Sequence, residues 1–149
     1  MYGDVVEEFD YETGRLLETL EELGIADNTI VIYATDNGPW CQTKYNQNPN
    51  YSKYYPEGAI FWGDPGGLRG GKGSAYEAGS RVRCIVRWSG VVDAGKNCDE
   101  LVSTLDFVPT FAGVMGYSIP TDLRMDGVDQ SELIFGGGRR SAREYFHYS

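Results

Sequence analysis

No apolar run in the sequence approaches the roughly 18 residues that cross a bilayer, so no membrane span is expected in this chain. The opening MYGDVVEEFD is acidic where a secretion signal is basic and then apolar, and the chain carries no visible address. Positive charge is scarce: 13 Lys and Arg face 22 Asp and Glu, a formal net charge of -9. The acids are spread along the chain, which argues against nucleic acid as a main partner and confines any anion site to a local feature. There is one histidine, His147, and no GxSxG motif, which argues against a Ser-His-Asp triad. His147 therefore reads as structural or exposed. The three cysteines, Cys41, Cys84 and Cys98, show no CxxC or histidine-containing spacing, so a zinc site is not expected. One disulfide with a thiol left over and three reduced thiols both remain open, because pairing depends on distance.

What is present suits one globular α/β domain with a real core, since 41% of the residues are apolar. Over residues 4–23, Val5, Val6, Phe9, Leu16, Leu17, Leu20 and Leu23 recur at three- and four-residue steps between glutamates, which predicts an amphipathic helix capped by Gly24. The run Thr29 to Thr35 is continuously apolar and β-branched, the pattern of a strand covered on both faces. Arg81 to Trp88 predicts a second strand and Ser103 to Met115 a helix, with Ser103 as N-cap, Asp106 at the capping-box position and Pro109 bending it unless near its start. Residues 117–138 are turn-rich, and the closing REYFHY predicts a last strand. Between these blocks, residues 41–65 form a long loop rich in aromatics, among them Tyr45, Tyr51, Tyr54, Tyr55, Phe61 and Trp62. Loops of that length usually serve as lids or binding loops, so these rings either line a cleft or simply pin the loop down.

Two clusters can carry chemistry. Asp36, Asn37 and Gly38 follow the first strand, where open α/β sheets usually place their ligands. The two side chains offer hard oxygen donors suited to Ca²⁺ or Mg²⁺, although Asp-Asn-Gly is also a common strand-ending turn. The second cluster is GGLRGGKGSAYEAG, residues 66–79, with Lys72 alone among six glycines. Bare backbone presents N–H groups to an anion and a lysine adds a compact charge, an environment fit for a tetrahedral oxyanion. It is no P-loop, because Gly73 stands where Ser or Thr must follow the lysine. Taken by itself, the stretch reads better as a flexible, solvated loop.

In their order, YGDVVEEFDYETGRLLETLEELGIADNTIVIYATDNGPW, GGLRGGKGSAYEAGSRVRCIVRWSG, DELVSTLDFVPTFAGVMG and MDGVDQSELIFG resemble the sulfatases, the sulfuric ester hydrolases of the alkaline-phosphatase-like superfamily. The resemblance implies a three-layer α/β/α sandwich with a mostly parallel sheet, a calcium ion, and a formylglycine nucleophile made from the first residue of a Cys/Ser-x-Pro-x-Arg segment. It maps Asp36 and Asn37 onto the metal-ligating Asp-Asn pair, and Lys72 onto the lysine that contacts the sulfate. Glu77 looks structural by the same likeness, while Ala78 and Arg83 replace a glycine and a proline common in the family. None of Cys41, Cys84 or Cys98 lies in a nucleophile context.

Residues 1–149 are therefore expected to be a partial catalytic domain lacking the upstream nucleophile half, with Met1 an internal methionine or alternative start and residues 41–65 at the active-site rim. The implied partners are the missing N-terminal part of the same domain and a sulfated small molecule or glycan. The implied setting is secreted, periplasmic or lysosomal. Two alternatives stand beside this reading: a phosphoesterase or phosphonate hydrolase of the same superfamily, and a non-catalytic binding module.

Overall fold

A computed structural model describes residues 2–40 and 63–147. Helix α1 (Tyr2–Glu22) follows the predicted periodicity and stops at Gly24, whose φ of 67° is the left-handed conformation that ends helices. A single 3-10 turn (Ala26–Asn28) leads into strand β1 (Val31–Ala34), and a one-turn helix α2 (Glu77–Ser80) precedes strand β2 (Cys84–Arg87). The two strands pair antiparallel, and the Thr35 N–H continues the ladder to the Arg83 carbonyl at 3.3 Å. Further on, a 3-10 turn (Thr104–Asp106) opens helix α3 (Phe107–Val114), and a one-turn helix α4 (Ser131–Ile134) follows. No helix among the described residues is long and apolar enough to cross a membrane.

The chain divides into two units, residues 1–24 with 32–85, and residues 25–31 with 86–149. In the first, Phe9 of α1 meets Tyr33 of β1 edge to face at 6.4 Å. Most of the apolar stripe of α1 nevertheless stands open: Val5 is 58% exposed and Phe9 60%. The expected strand covered on both faces is likewise not seen, since Val31 and Ile32 are half-buried and Tyr33 and Ala34 exposed. A helix and a two-stranded sheet offer too little surface to enclose the apolar side chains they carry. The mostly parallel sheet is also not what these two strands form.

The second unit is held by polar groups. Its fully buried large side chains are Asp106, Thr110 and Gln130, in place of the leucines and phenylalanines that the composition suggests. Ser103 and Asp106 complete the predicted capping box, each side chain accepting from the other's end of the turn, with Asp106 Oδ2 taking the Ser103 N–H at 2.9 Å. Pro109 is the third residue of α3, near its start, where no intrahelical N–H is required. Asp106 also accepts the Val128 N–H at 2.9 Å, Arg143 Nε at 3.1 Å, and a second Arg143 nitrogen. Gln130 reaches Ser141 Oγ at 2.8 Å and takes the Ala142 N–H at 3.0 Å, while its own N–H goes to Thr110.

These bonds explain why the predicted C-terminal strand does not form. Arg143 is drawn inward to Asp106 and to the Asp126 carbonyl, so residues 143–147 follow the side-chain network without a strand partner. His147 is exposed and packs edge to face against Tyr145 at 5.0 Å. Trp88 completes the unit, donating to the Asp27 carbonyl at 2.9 Å and meeting Phe135 at 5.3 Å.

Burial alone would raise the Asp106 carboxyl, but the bonds from Arg143, Val128, Ser103 and Gln130 outweigh it and hold the group below the usual carboxylate range. A depressed folded value means that this stabilisation is complete above the unfolded carboxyl's range and is lost as pH falls through the folded value. Arg143→Ala strands a buried carboxylate and is expected to cost about 3 kcal/mol at neutral pH. Urea unfolding followed by circular dichroism at pH 7 and pH 4 checks this. The variant should have the lower midpoint at pH 7, and the gap should narrow at pH 4, where the stranded Asp106 can take up a proton; equal midpoints at pH 7 would show that the pair does not hold the unit together.

Candidate functional site

The end of β1 and the glycine-rich stretch meet through backbone. Gly38 donates its N–H to the Gly79 carbonyl at 2.9 Å, and Lys72 donates its own to the Pro39 carbonyl at 2.9 Å. The buried nucleus of this junction consists of Gly38, Gly71, Ala78 and Gly79. Side chains are kept out for a steric reason: a Cβ on Gly38 would lie 1.6 Å from the Ala78 carbonyl oxygen, and one on Gly79 would lie 2.1 Å from the Ser74 carbonyl oxygen. Bare backbone is thus a packing requirement here, and the stretch is not the freely solvated loop that its composition allows. Ala78 itself is 1% exposed and donates its N–H to the Arg69 carbonyl at 3.0 Å.

Lys72 sits at the corner of a β-turn. Ser74 donates its N–H to the Gly71 carbonyl at 3.0 Å, and Gly73 at the third position has a φ of 82°, as a type II turn requires. The lysine is exposed, and its ammonium lies 5.8 Å from the centre of the Trp40 ring. A neighbouring guanidinium, that of Arg69, stacks on Tyr76 at 3.8 Å. Cation–π contacts of this kind orient a long side chain that would otherwise sweep through solvent. Trp40, Arg69, Ser74 and Tyr76 escape a reading by motif. Their only signal in the sequence is proximity to the glycines and to Asp-Asn-Gly.

Asp36 and Asn37 are arranged as a turn that leaves donor oxygens free. Asp36 Oδ1 accepts the Asn37 N–H at 2.9 Å, and the Asn37 amide nitrogen donates to the Gly38 carbonyl at 2.9 Å, which directs the amide oxygen the other way. One carboxylate oxygen and one amide oxygen remain, hard donors that fit Ca²⁺ or Mg²⁺. They are too few for a closed cage, because Ca²⁺ takes about six to eight oxygens. Among the described residues no group of three or more His, Cys, Asp or Glu is placed to hold a metal ion.

Glu77 opens α2 and pairs with Arg81 at 3.2 Å on the surface. Arg83 is exposed, and its carbonyl serves the strand ladder. Cys84 and Cys98 are free, exposed thiols. Cys41 and the rings at Tyr45, Tyr51, Tyr54, Tyr55, Phe61 and Trp62 lie outside the described residues.

Gly38→Ala forces the end of β1 off the 69–79 loop. Trypsin should then cut after Arg69 and Lys72 faster than in the unaltered chain, read by mass spectrometry of the early fragments. Unchanged cleavage would mean that the contact does not restrain the loop.

Comparison with known proteins follows the same residues. The Sulfatase family model matches residues 1–117. Steryl-sulfatase from Rattus norvegicus is 38% identical over 148 residues, which is 99% of this chain and 24% of that protein. Steryl-sulfatase from Homo sapiens is 36% identical over 149 residues, and human Arylsulfatase A 33% over 147, with 99% of this chain covered in both and 24% and 26% of those proteins. The chain thus spans about a quarter of the length of these relatives. Among solved structures, a Bacteroides thetaiotaomicron chain, BT33336S-sulf, from work on the metabolism of multiple glycosaminoglycans, matches at TM-score 0.69 and 30% identity over 93% of this chain and 28% of its own. Ps i-CgsB in complex with k-i-k-neocarrahexaose matches at TM-score 0.61 and 34% identity over 81% of this chain and 23% of its own.

Proposed function

The chain belongs to the sulfatase family, and from that premise we propose that it is the later part of a catalytic domain that hydrolyses sulfate esters of aryl or carbohydrate compounds. The observation that carries the proposal is the junction itself: the Lys72 turn is bonded through its own N–H to Pro39, two residues beyond the Asn37 donor. That bond sets the backbone carrying Lys72 beside the backbone that follows the donor pair, which supports a site where a cation and oxygen donors meet a tetrahedral, negatively charged ester. The open apolar face of α1, with Phe9 60% exposed, supports a longer protein, because the remaining part of an α/β/α sandwich with a mostly parallel sheet is what would cover it.

In this mechanism Asp36 and Asn37 would supply two of the oxygens for a calcium ion, and the N-terminal part of the domain would supply the rest. When bound, calcium supplies a Lewis acid that neutralises the sulfate oxygens. Lys72 is the catalytic residue this chain contributes. Its ammonium meets the sulfuryl group or the leaving oxygen and stabilises charge that develops as the S–O bond breaks. The Trp40 ring keeps the ammonium on one side of the turn, and the buried glycine nucleus fixes the turn against the end of β1. The nucleophile, a formylglycine, belongs to the upstream part. A carbohydrate substrate is supported by the neighbour solved with a carrageenan oligosaccharide.

Four outcomes follow. The isolated 149-residue chain should show no turnover of 4-nitrophenyl sulfate with or without calcium, and the protein isolated from its source should have a mass several times 16.6 kDa. In that longer protein Lys72→Ala should lower kcat by roughly 100-fold, the loss typical of one charge-stabilising group. Asp36→Ala should raise the calcium concentration needed for half-maximal activity. Calcium-dependent turnover by the isolated chain would overturn the assignment of the nucleophile to another part.

A further inference from the structure

Whatever Lys72 touches, the direction in which it leaves the backbone is set by the turn that carries it. That turn spans Gly71 to Ser74, and one side chain closes it. Ser74 Oγ donates to the Gly71 carbonyl at 2.8 Å and accepts the Gly71 N–H at 3.2 Å, in addition to the backbone bond from Ser74 N–H to the same carbonyl at 3.0 Å. Both polar groups of the residue directly before Lys72 are thereby held by a single hydroxyl. The hydroxyl also occupies space: a Cβ on Gly70 would lie 2.4 Å from Ser74 Oγ, and one on Gly79 would lie 3.0 Å from it. Ser74 is partly buried, while Lys72 at the corner is exposed. Around the turn, glycine backbone packs on the serine hydroxyl and the lysine side chain is exposed.

We propose that Ser74 is a positioning residue for Lys72. It acts on catalysis only through the lysine, by holding Gly71 so that the turn presents the ammonium in one direction. The alternative for these glycines is a broad set of backbone conformations, since Gly70 and Gly73 both sit at positive φ, 91° and 82°. Without the hydroxyl, the single backbone bond from Ser74 to Gly71 and the bond from Lys72 to Pro39 remain. The turn then persists in outline, and its corner wanders. A misplacement of about 1 Å in a catalytic group costs roughly 100-fold in rate; partial loss of restraint should cost about tenfold.

This rests on the role of Lys72 proposed above, and the test separates the two. Ser74→Ala, Ser74→Thr, Lys72→Ala and the double variant Ser74→Ala/Lys72→Ala are made in the full-length protein and assayed with 4-nitrophenyl sulfate. Thermal melting is used to normalise for folded protein. Ser74→Ala should lower kcat about tenfold with KM changed less than about twofold, and Ser74→Thr, which keeps the hydroxyl, should restore most of the rate. In the Lys72→Ala background, Ser74→Ala should add less than about a twofold loss, because the group it positions is gone. A tenfold loss that persists in full without Lys72, or a Ser74→Ala variant as fast as the parent, overturns the positioning role. Unchanged activity in Lys72→Ala overturns the role of Lys72 and the positioning inference with it.

Discussion

The approach of the Gly38 backbone to the 78–79 segment is the constraint on which the candidate site depends. A residue with any side chain cannot stand at Gly38, because its Cβ would fall 1.6 Å from the Ala78 carbonyl oxygen. Because the two stretches touch backbone to backbone, the Asp-Asn pair at the end of β1 and the lysine turn share one frame. Hydrogen bonds from Gly38 to Gly79 and from Lys72 to Pro39 fasten that frame at two points. Two fixed points determine the relation of two segments far better than one, which is why an exposed lysine on a glycine-rich loop can still be aimed.

The second unit solves a different problem with different means. Among its described residues no large apolar side chain is fully buried, and the largest fully buried side chains are Asp106, Thr110 and Gln130. Low local dielectric strengthens each bond in such a network and makes every unpaired member costly. The network is complete: no buried side-chain nitrogen or oxygen among the described residues is without a partner. Asp106 gathers the start of α3, the 126–128 segment and Arg143 into one knot. A polar core of this kind specifies one arrangement, because a shifted register would leave a buried carboxylate or amide unsatisfied.

Local signals in the sequence were readable where local physics decides. The periodicity of α1, the glycine that ends it, the two strands and the Ser103–Asp106 capping box all appear where residue pattern places them. The family likeness, too, was carried by short blocks in order. What was not readable depends on distant partners. The apolar run of β1 predicts burial, but covering a strand needs other elements, and here Tyr33 and Ala34 are open. The C-terminal segment has the composition of a strand, and Arg143 is taken instead by a carboxylate 37 positions earlier. At the candidate site, residue type and order point to Lys72, Asp36 and Asn37. They do not point to Trp40, Arg69 or Ser74, because their part lies in how the backbone folds back on itself.

The bonds from Gly38 to Gly79 and from Lys72 to Pro39 also divide the labour along the chain. They close an excursion that begins just after Pro39 and returns before Lys72. Closing such a loop grows more costly only slowly with length, about 0.6 kcal/mol for each doubling. The intervening stretch can therefore change in length at little cost to the two backbone bonds that close its base.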